Sequence, residues 1–335
     1  MISALKLLTM TILVGTNNAY WGHTFLAEGN DKVYALRSLA PSSSLCTFDK
    51  SALNGREGII ELTSLDAPMV ESKTEGEHSC HITLLPREAV VADYTSGTLT
   101  LYPLAKDGSV EGEPRLLRFA GSGPHPKRQT SPHIHSSALS PDGSTLIIVD
   151  LGTDRLYRFV VSDGRTELHY ATISLPAGCG PRHSVFSPEG DMLYVVTELS
   201  DEVLVYRTSD YTLLERHSLS GENPQGGSHI TLSPDGRYLY ASLRVSSTAN
   251  AAACTKGDGV AYFERRADGS LVRLGYCTTG GHPRHFAVSD DGATLIVACR
   301  DSNSVEFYPI DPANGAVGEQ THKVEVEKPV FILTR

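Results

Sequence analysis

His135, Glu198 and four arginines, Arg182, Arg244, Arg284 and Arg300, are the side chains of this sequence whose types and spacing can do chemistry together. Histidine and glutamate exchange protons near neutral pH, and the arginine fork binds a carboxylate, a phosphate or an oxyanion through paired hydrogen bonds. Either His135 or Glu198 can be the base.

These positions are found by counting along a recurring phrase. Residues 131–143 read SPHIHSSALSPDG, and the pattern returns as GPRHSVFSPEG at 180–190, GSHITLSPDG at 227–236 and HPRHFAVSDDG at 282–292. Six residues before each turn anchor stand His135, Arg182, Ser228 and Arg284; ten residues after it stand Leu151, Glu198, Arg244 and Arg300. Charged residues beside loops are usually just solvated, but a whole register of titratable groups at one repeat position is a candidate site. Ser228 and Arg284 are therefore expected at the substrate, as is His133 beside His135, and Arg300 is the weakest member. His133 and His135 alternate onto one strand face and can be imagined as metal ligands, but no carboxylate at a matching position joins them; no metal and no cofactor are expected. His183, His229 and His285 lie one place further on and are expected to pack or hydrogen-bond between repeats. The glycine-rich stretches at 178–180, 226–227 and 280–281 can cradle phosphate through backbone N–H groups or simply allow tight passage, and no helix follows them.

The elements that must position these residues follow from the same repeat. The turn anchors fall at Pro86, Pro141, Pro188, Pro234 and Asp290, with gaps of 55, 47, 46 and 56 residues. Each interval holds about four strand-like runs, in the clearest case Ser184–Ser187, Leu193–Glu198, Glu202–Arg207 and Leu213–Ser218, divided by Asp-Gly turns. No long amphipathic helix is visible. Four strands per unit of roughly fifty residues is the pattern of propeller blades, and the length of 335 residues accommodates seven of them in one domain, 1–335. Thr11–Thr16 is expected as the first strand, Asn17–Asn30 as a polar connection and Val33–Leu36 as a second strand. Leu45–Asp49 is expected to open a degenerate repeat. Pairing of Pro329–Leu333 with the N-terminal strand would close the ring and remove its free edges.

Bulk properties exclude some functions. A net charge of −10 argues against a general nucleic-acid binder. No segment approaches the ~20 apolar residues of a membrane span, and the short N-terminal apolar run, interrupted by threonines, reads as a strand of a cytoplasmic protein. The six cysteines lack a C-x-x-C pair and are expected to be mostly free; His78, Cys80 and His81 lack a second ligand pair at zinc spacing. The sequence sets no oligomeric state.

At these residues the chain resembles the seven-bladed propeller lactonases, which include bacterial-type 6-phosphogluconolactonases and fungal carboxy-muconate lactonizing enzymes. The stretches that carry the resemblance are ILVGT at 12–16, PHIH at 132–135, VDLGTDR at 149–155, VVTELS at 195–200, YASLR at 240–244 and HPRHF at 282–286. The resemblance implies a metal-independent site, with His135, Arg182, Glu198 and Arg244 at the family's catalytic positions, acting on a small anionic lactone. Hydrolysis of 6-phosphogluconolactone is the first expectation, a carboxy-muconate cycloisomerase the second. A non-catalytic interaction propeller is a third reading, which would show apolar patches on the rim instead of an ionisable ring. Leu243 replaces an asparagine common in the family, and Val245–Asp258 is longer than the bacterial pattern and closer to fungal relatives.

Overall fold

The computed structural model describes residues 11–16, 23–39, 42–61, 70–219, 226–244 and 257–334. Among them every regular element is a strand except one 3-10 turn, Lys50–Leu53. The strands form seven sheets, six of four strands and one of three. Sheet one joins Pro329–Thr334, Thr11–Thr16 and Gly58–Glu61; sheet two His23–Glu28, Lys32–Leu39, Ser42–Asp49 and Val70–Glu77; sheet three Ser79–Leu85, Glu88–Asp93, Thr98–Pro103 and Arg115–Arg118. Sheet four holds Ile134–Leu139, Thr145–Asp150, Arg155–Ser162 and Arg165–Ser174; sheet five Pro181–Phe186, Met192–Thr197, Glu202–Arg207 and Thr212–Ser218. Sheet six holds Gly227–Leu232, Tyr238–Leu243, Gly259–Arg265 and Leu271–Thr278, and sheet seven Pro283–Val288, Thr294–Cys299, Ser304–Pro309 and His322–Glu325. The fold is the all-β seven-bladed propeller that the repeat implies.

Burial explains the strand composition. Second strands are covered on both faces and read as unbroken apolar runs; Leu146 to Val149 and Leu193 to Val196 have no exposed surface. Outer strands such as Thr212–Ser218 alternate between exposed and partly buried residues. The turn after each first strand has a fixed chemistry. Ser140, Ser187, Ser233 and Ser289 each accept the N–H of the residue five places on and donate to an aspartate: Asp142, Asp191, Asp235 and Asp291.

The chain divides into two compact units, one of Met1–Asn18, Glu57–Leu62 and His183–Arg335, the other of Ala19–Arg56 and Thr63–Arg182. In the first, sheets five and six share a core of Tyr194, Val196, Leu239, Ala241 and Phe263, and sheets seven and one share Ile12, Val14, Ile296, Ala298 and Phe307. In the second, sheets three and four meet through Val90, Leu99, Leu101, Ile134, Leu146 and Phe159.

The closing strand pairs with the N-terminal one as expected, Ile12 opposite Thr334 through Gly15 opposite Phe331. Three expectations are corrected. The polar connection at 17–30 contains a strand, His23–Glu28, because its middle is Phe25-Leu-Ala. Leu45–Asp49 belongs to the third strand of sheet two rather than the first of a repeat, since it pairs with Lys32–Leu39 on one side and Val70–Glu77 on the other. The stretch that follows leaves that sheet: Gly58–Glu61 runs parallel to Thr11–Thr16 in sheet one.

Candidate functional site

Four of the first strands carry their chemical residue at a local distortion. Register shifts fall between Ser79 and His81, between Ile134 and Ser136, between Gly227 and Ile230 and between Pro283 and His285. Cys80, His135, Ser228 and Arg284 thus lie on β-bulges, which re-aim side chains and are common beside active sites. The partner position, one residue past the second strand, is set by pairs such as Ile134 with Asp150 and Gly227 with Leu243.

In the unit of His183–Arg335 two of these partner positions meet. Glu198 follows Met192–Thr197 and Arg244 follows Tyr238–Leu243, in consecutive sheets. Arg244 Nη2 donates to Glu198 Oε2 at 2.9 Å, and about a tenth of each side chain is exposed (10% and 9%). Arg244 Nη1 donates to Nε2 of buried His282 at 3.1 Å. Behind His282, Asp301 Oδ2 stands 3.6 Å from Nδ1, and Asp301 also holds Arg300 through Nε at 2.7 Å. Glycine is required beside this pair: Gly226 has φ +111°, and a Cβ on Gly227 would stand 2.2 Å from the Thr197 carbonyl oxygen. Ser228, expected at the substrate, is fully buried and donates its hydroxyl to the Arg284 carbonyl at 2.8 Å. It ties two first strands together and leaves the contact to half-buried Arg284.

In the other unit His135 and Arg182 are both buried. Ser136 Oγ donates to the Arg182 carbonyl at 2.8 Å, the same kind of tie. Tyr94 organises the histidines. His133 stacks on its ring at 4.5 Å and bonds its carbonyl oxygen through Nδ1 at 2.9 Å, while His135 meets the ring edge at 5.4 Å. A carbonyl only accepts, so His133 Nδ1 carries a proton, and in the neutral ring Nε2 is an acceptor. Arg128 donates to the Tyr94 hydroxyl at 3.1 Å. Cys80 Sγ lies 4.0 Å from His135 Nδ1.

The glycine-rich stretches do not offer a phosphate cradle, because carboxylates of the chain occupy their N–H groups. Asp154 accepts from Gly178 and Gly180 at 2.7 and 2.8 Å, Asp201 from Gly226 and Gly227 at 2.6 and 3.0 Å, and Glu306 from Gly280 at 2.8 Å. The histidines one place past the site register pack among themselves as expected. His183 and His229 share a hydrogen bond of 2.9 Å, His229 stacks on His285 at 3.8 Å, and the His285 ring meets that of Phe331 at a tilt, 4.0 Å away.

With this geometry in place, comparison with known proteins is specific. Residues 24–334 match the family model of the lactonases with a seven-bladed β-propeller. The chain belongs to the seven-bladed β-propeller lactonase family. It stands with it among lactone-hydrolysing carboxylic-ester hydrolases. A 6-phosphogluconolactonase of Bacillus subtilis (strain 168) is 29% identical over 81% of this chain and 76% of its own length. One of Formosa agariphila is 31% identical over 67% of this chain and 64% of its own length. A crystal structure of a candidate 6-phosphogluconolactonase from Bacteroides fragilis superposes with a TM-score of 0.84 at 28% identity and covers all of both chains. Another from Bacteroides uniformis gives 0.80 at 29%, covering 97% of this chain and 98% of the other.

Within this lactonase-family chain, sequence counting missed Tyr94, Cys80 and His282. Tyr94 holds the register of Leu151, Glu198 and Arg244, but the Pro86 turn is two residues shorter and throws the count off. The signal was the likeness of Val90-Val-Ala-Asp-Tyr94 to Ile147-Ile-Val-Asp-Leu151. His81 is a further case: burial and the Arg182 guanidinium hold its imidazole neutral, with the pKa lowered to about 3. Five cysteines among the described residues are free, and burial pushes the thiols of Cys46 and Cys277 up to about 11 and about 12. Cys254 lies outside the described residues. No group of three or more His, Cys, Asp or Glu among those residues is arranged to hold a metal ion, and no described helix is long and apolar enough to cross a membrane.

Proposed function

We propose that residues 1–335 act as one propeller domain that hydrolyses the cyclic ester of an anionic sugar lactone, with δ-6-phosphogluconolactone the first candidate, in the cytoplasm and without metal or cofactor. The observation that carries this reading is the Glu198–Arg244 pair, one residue past the second strand in consecutive sheets and nearly withdrawn from water. Charges this buried are costly to the fold and are characteristic of sites that bind or stabilise charge. A glutamate with one oxygen on a guanidinium is ionised but a weak base, so the proton of the attacking water goes to His135. Arg182 stabilises the oxyanion at the former carbonyl, Arg244 with Arg284 binds the phosphate, and His133 accepts a sugar hydroxyl through Nε2. Collapse of the tetrahedral intermediate breaks the ring C–O bond, and His135 returns its proton to the leaving hydroxyl.

The test is purified protein with δ-6-phosphogluconolactone, unphosphorylated gluconolactone and 3-carboxymuconate, each corrected for its spontaneous reaction. The expected result is hydrolysis of the phosphorylated lactone well above the other two. Failure to accelerate any of the three overturns the proposal.

A further inference from the structure

We infer that His282 is a positioning residue for Arg244, acting as a neutral imidazole with its proton on Nδ1; the inference rests on the proposed use of Arg244. Guanidinium nitrogens only donate, so the 3.1 Å contact with Arg244 Nη1 requires a lone pair on His282 Nε2. The ring proton then faces Asp301, whose carboxylate is shared with Arg300. Glu198 fixes the other terminal nitrogen of Arg244, so glutamate and histidine together set the plane of the fork.

The backbone at His282 is one that glycine also adopts. His282 has φ +59°, a conformation that side chains rarely adopt, and the positions eight residues before the neighbouring turn anchors are Gly180 at +56° and Gly226 at +111°. Sheet seven places a histidine where sheets five and six use glycine. Its conformation is held at both ends, by N–H donation to Asp258 Oδ2 and by acceptance from Arg300 N–H, each at 3.1 Å. Sheet three has His78 at the same position with φ +53°, so the conformation does not require glycine, and the contact with Arg244 is what singles out His282.

The charged groups around the ring are Arg244 with Glu198, Asp258 at its backbone, Asp301 with Arg300, and Glu306 two residues away on the Gly280 N–H. Protonation of Nε2 would remove the acceptor and set two cations against each other, releasing the fork. Arg300 offsets the pull of Asp301 on that proton, so its loss favours protonation.

The experiment combines kinetics with NMR. His282→Gly suits the backbone, so its melting temperature should stay near that of the wild type while kcat/KM falls roughly ten- to a hundredfold, the scale of one charge-assisted contact. His282→Gln, whose amide can accept from Arg244 and donate to Asp301, should recover most of that loss and lack the acid limb of the wild-type pH profile. Arg300→Ala should move the limb to higher pH by up to about one unit. Nitrogen-15 spectra of the unliganded protein should show the Nδ1–H tautomer of His282, whatever lactone the enzyme takes. An Nε2–H tautomer, or His282→Gly with wild-type kcat/KM, overturns the inference. Correct tautomer with no lactone turned over by the wild type would instead overturn the function assigned to the site.

Discussion

Replacing Glu198 by glutamine separates the two jobs its carboxylate can do. In the structure Oε2 accepts from Arg244 Nη2 at 2.9 Å with about a tenth of each side chain exposed. Glutamine keeps the shape and one acceptor but loses the charge, so a charge-assisted bond becomes a neutral one. The difference is about 1–1.5 kcal/mol, which corresponds to roughly five- to fifteenfold in kcat/KM. If Glu198 instead took the proton from water, the loss would be ~10²–10⁴-fold and one limb of the pH profile would vanish. The assay is acid release from δ-6-phosphogluconolactone followed with a pH indicator, from pH 5 to pH 8, with circular dichroism confirming the fold. A loss of a hundredfold or more with the fold intact would refute the assignment of the base to His135. A wild-type rate would remove the pair from the site altogether.

His135→Asn should lose roughly 10²–10⁴-fold in kcat with unchanged thermal stability, checked by the same assay and a melting curve. Asp201→Ala strips the acceptor from the Gly226 and Gly227 N–H groups, so unfolding in urea should show about 2–3 kcal/mol less stability, while a loss under 0.5 would mean water takes over the bonds. His81 is neutral in the native protein with its pKa lowered to about 3, whereas the unfolded chain takes up the proton at about 6.5, so its stabilisation is full above that pH and lost on acidification from about 6.5 towards 3. Complete burial would make the loss by pH 5 about 2 kcal/mol, and the partial exposure of the ring reduces it to about 1; His81→Gln should flatten the pH dependence of the melting temperature over that window. Incubation with EDTA and dialysis should leave lactone hydrolysis unchanged, and inactivation reversed by a divalent cation would overturn the metal-independent mechanism.

The parts of the fold legible in the sequence were those written in local chemistry that repeats. A serine two residues before an aspartate closes the turn after the first strand in sheets four, six and seven, and the spacing of those turns carried the blade count. The same spacing found Glu198 and Arg244 as neighbours. Sheet two escaped because its first strand has only Phe25-Leu-Ala as an apolar run. The parallel partner of the N-terminal strand, Gly58–Glu61, escaped because a four-residue strand carries too little periodicity to announce its register.

What counting cannot reveal is a change in the count itself. The two-residue turn at Pro86 replaces the four-residue turn of sheets four to seven, so Tyr94 fell outside a register it occupies in space. The bulges raise the same difficulty within a strand. One extra residue between Ile134 and Ser136, or between Pro283 and His285, leaves no mark in composition, yet it turns His135 and Arg284 out of the regular alternation. The capping side chains, two carboxylates and one amide, show the opposite case, a signal present but unread. Asp154, Asp201 and Asn303 each stand thirteen residues after a turn anchor with positive φ, and each accepts a backbone N–H from the stretch leading to the next first strand. Asp258 does the same for His282. Those acids explain why the glycines beside them need no anion. A site built this way keeps its backbone donors for the fold, so under the proposed function recognition of an anionic lactone would fall to the arginine side chains that the repeat places there.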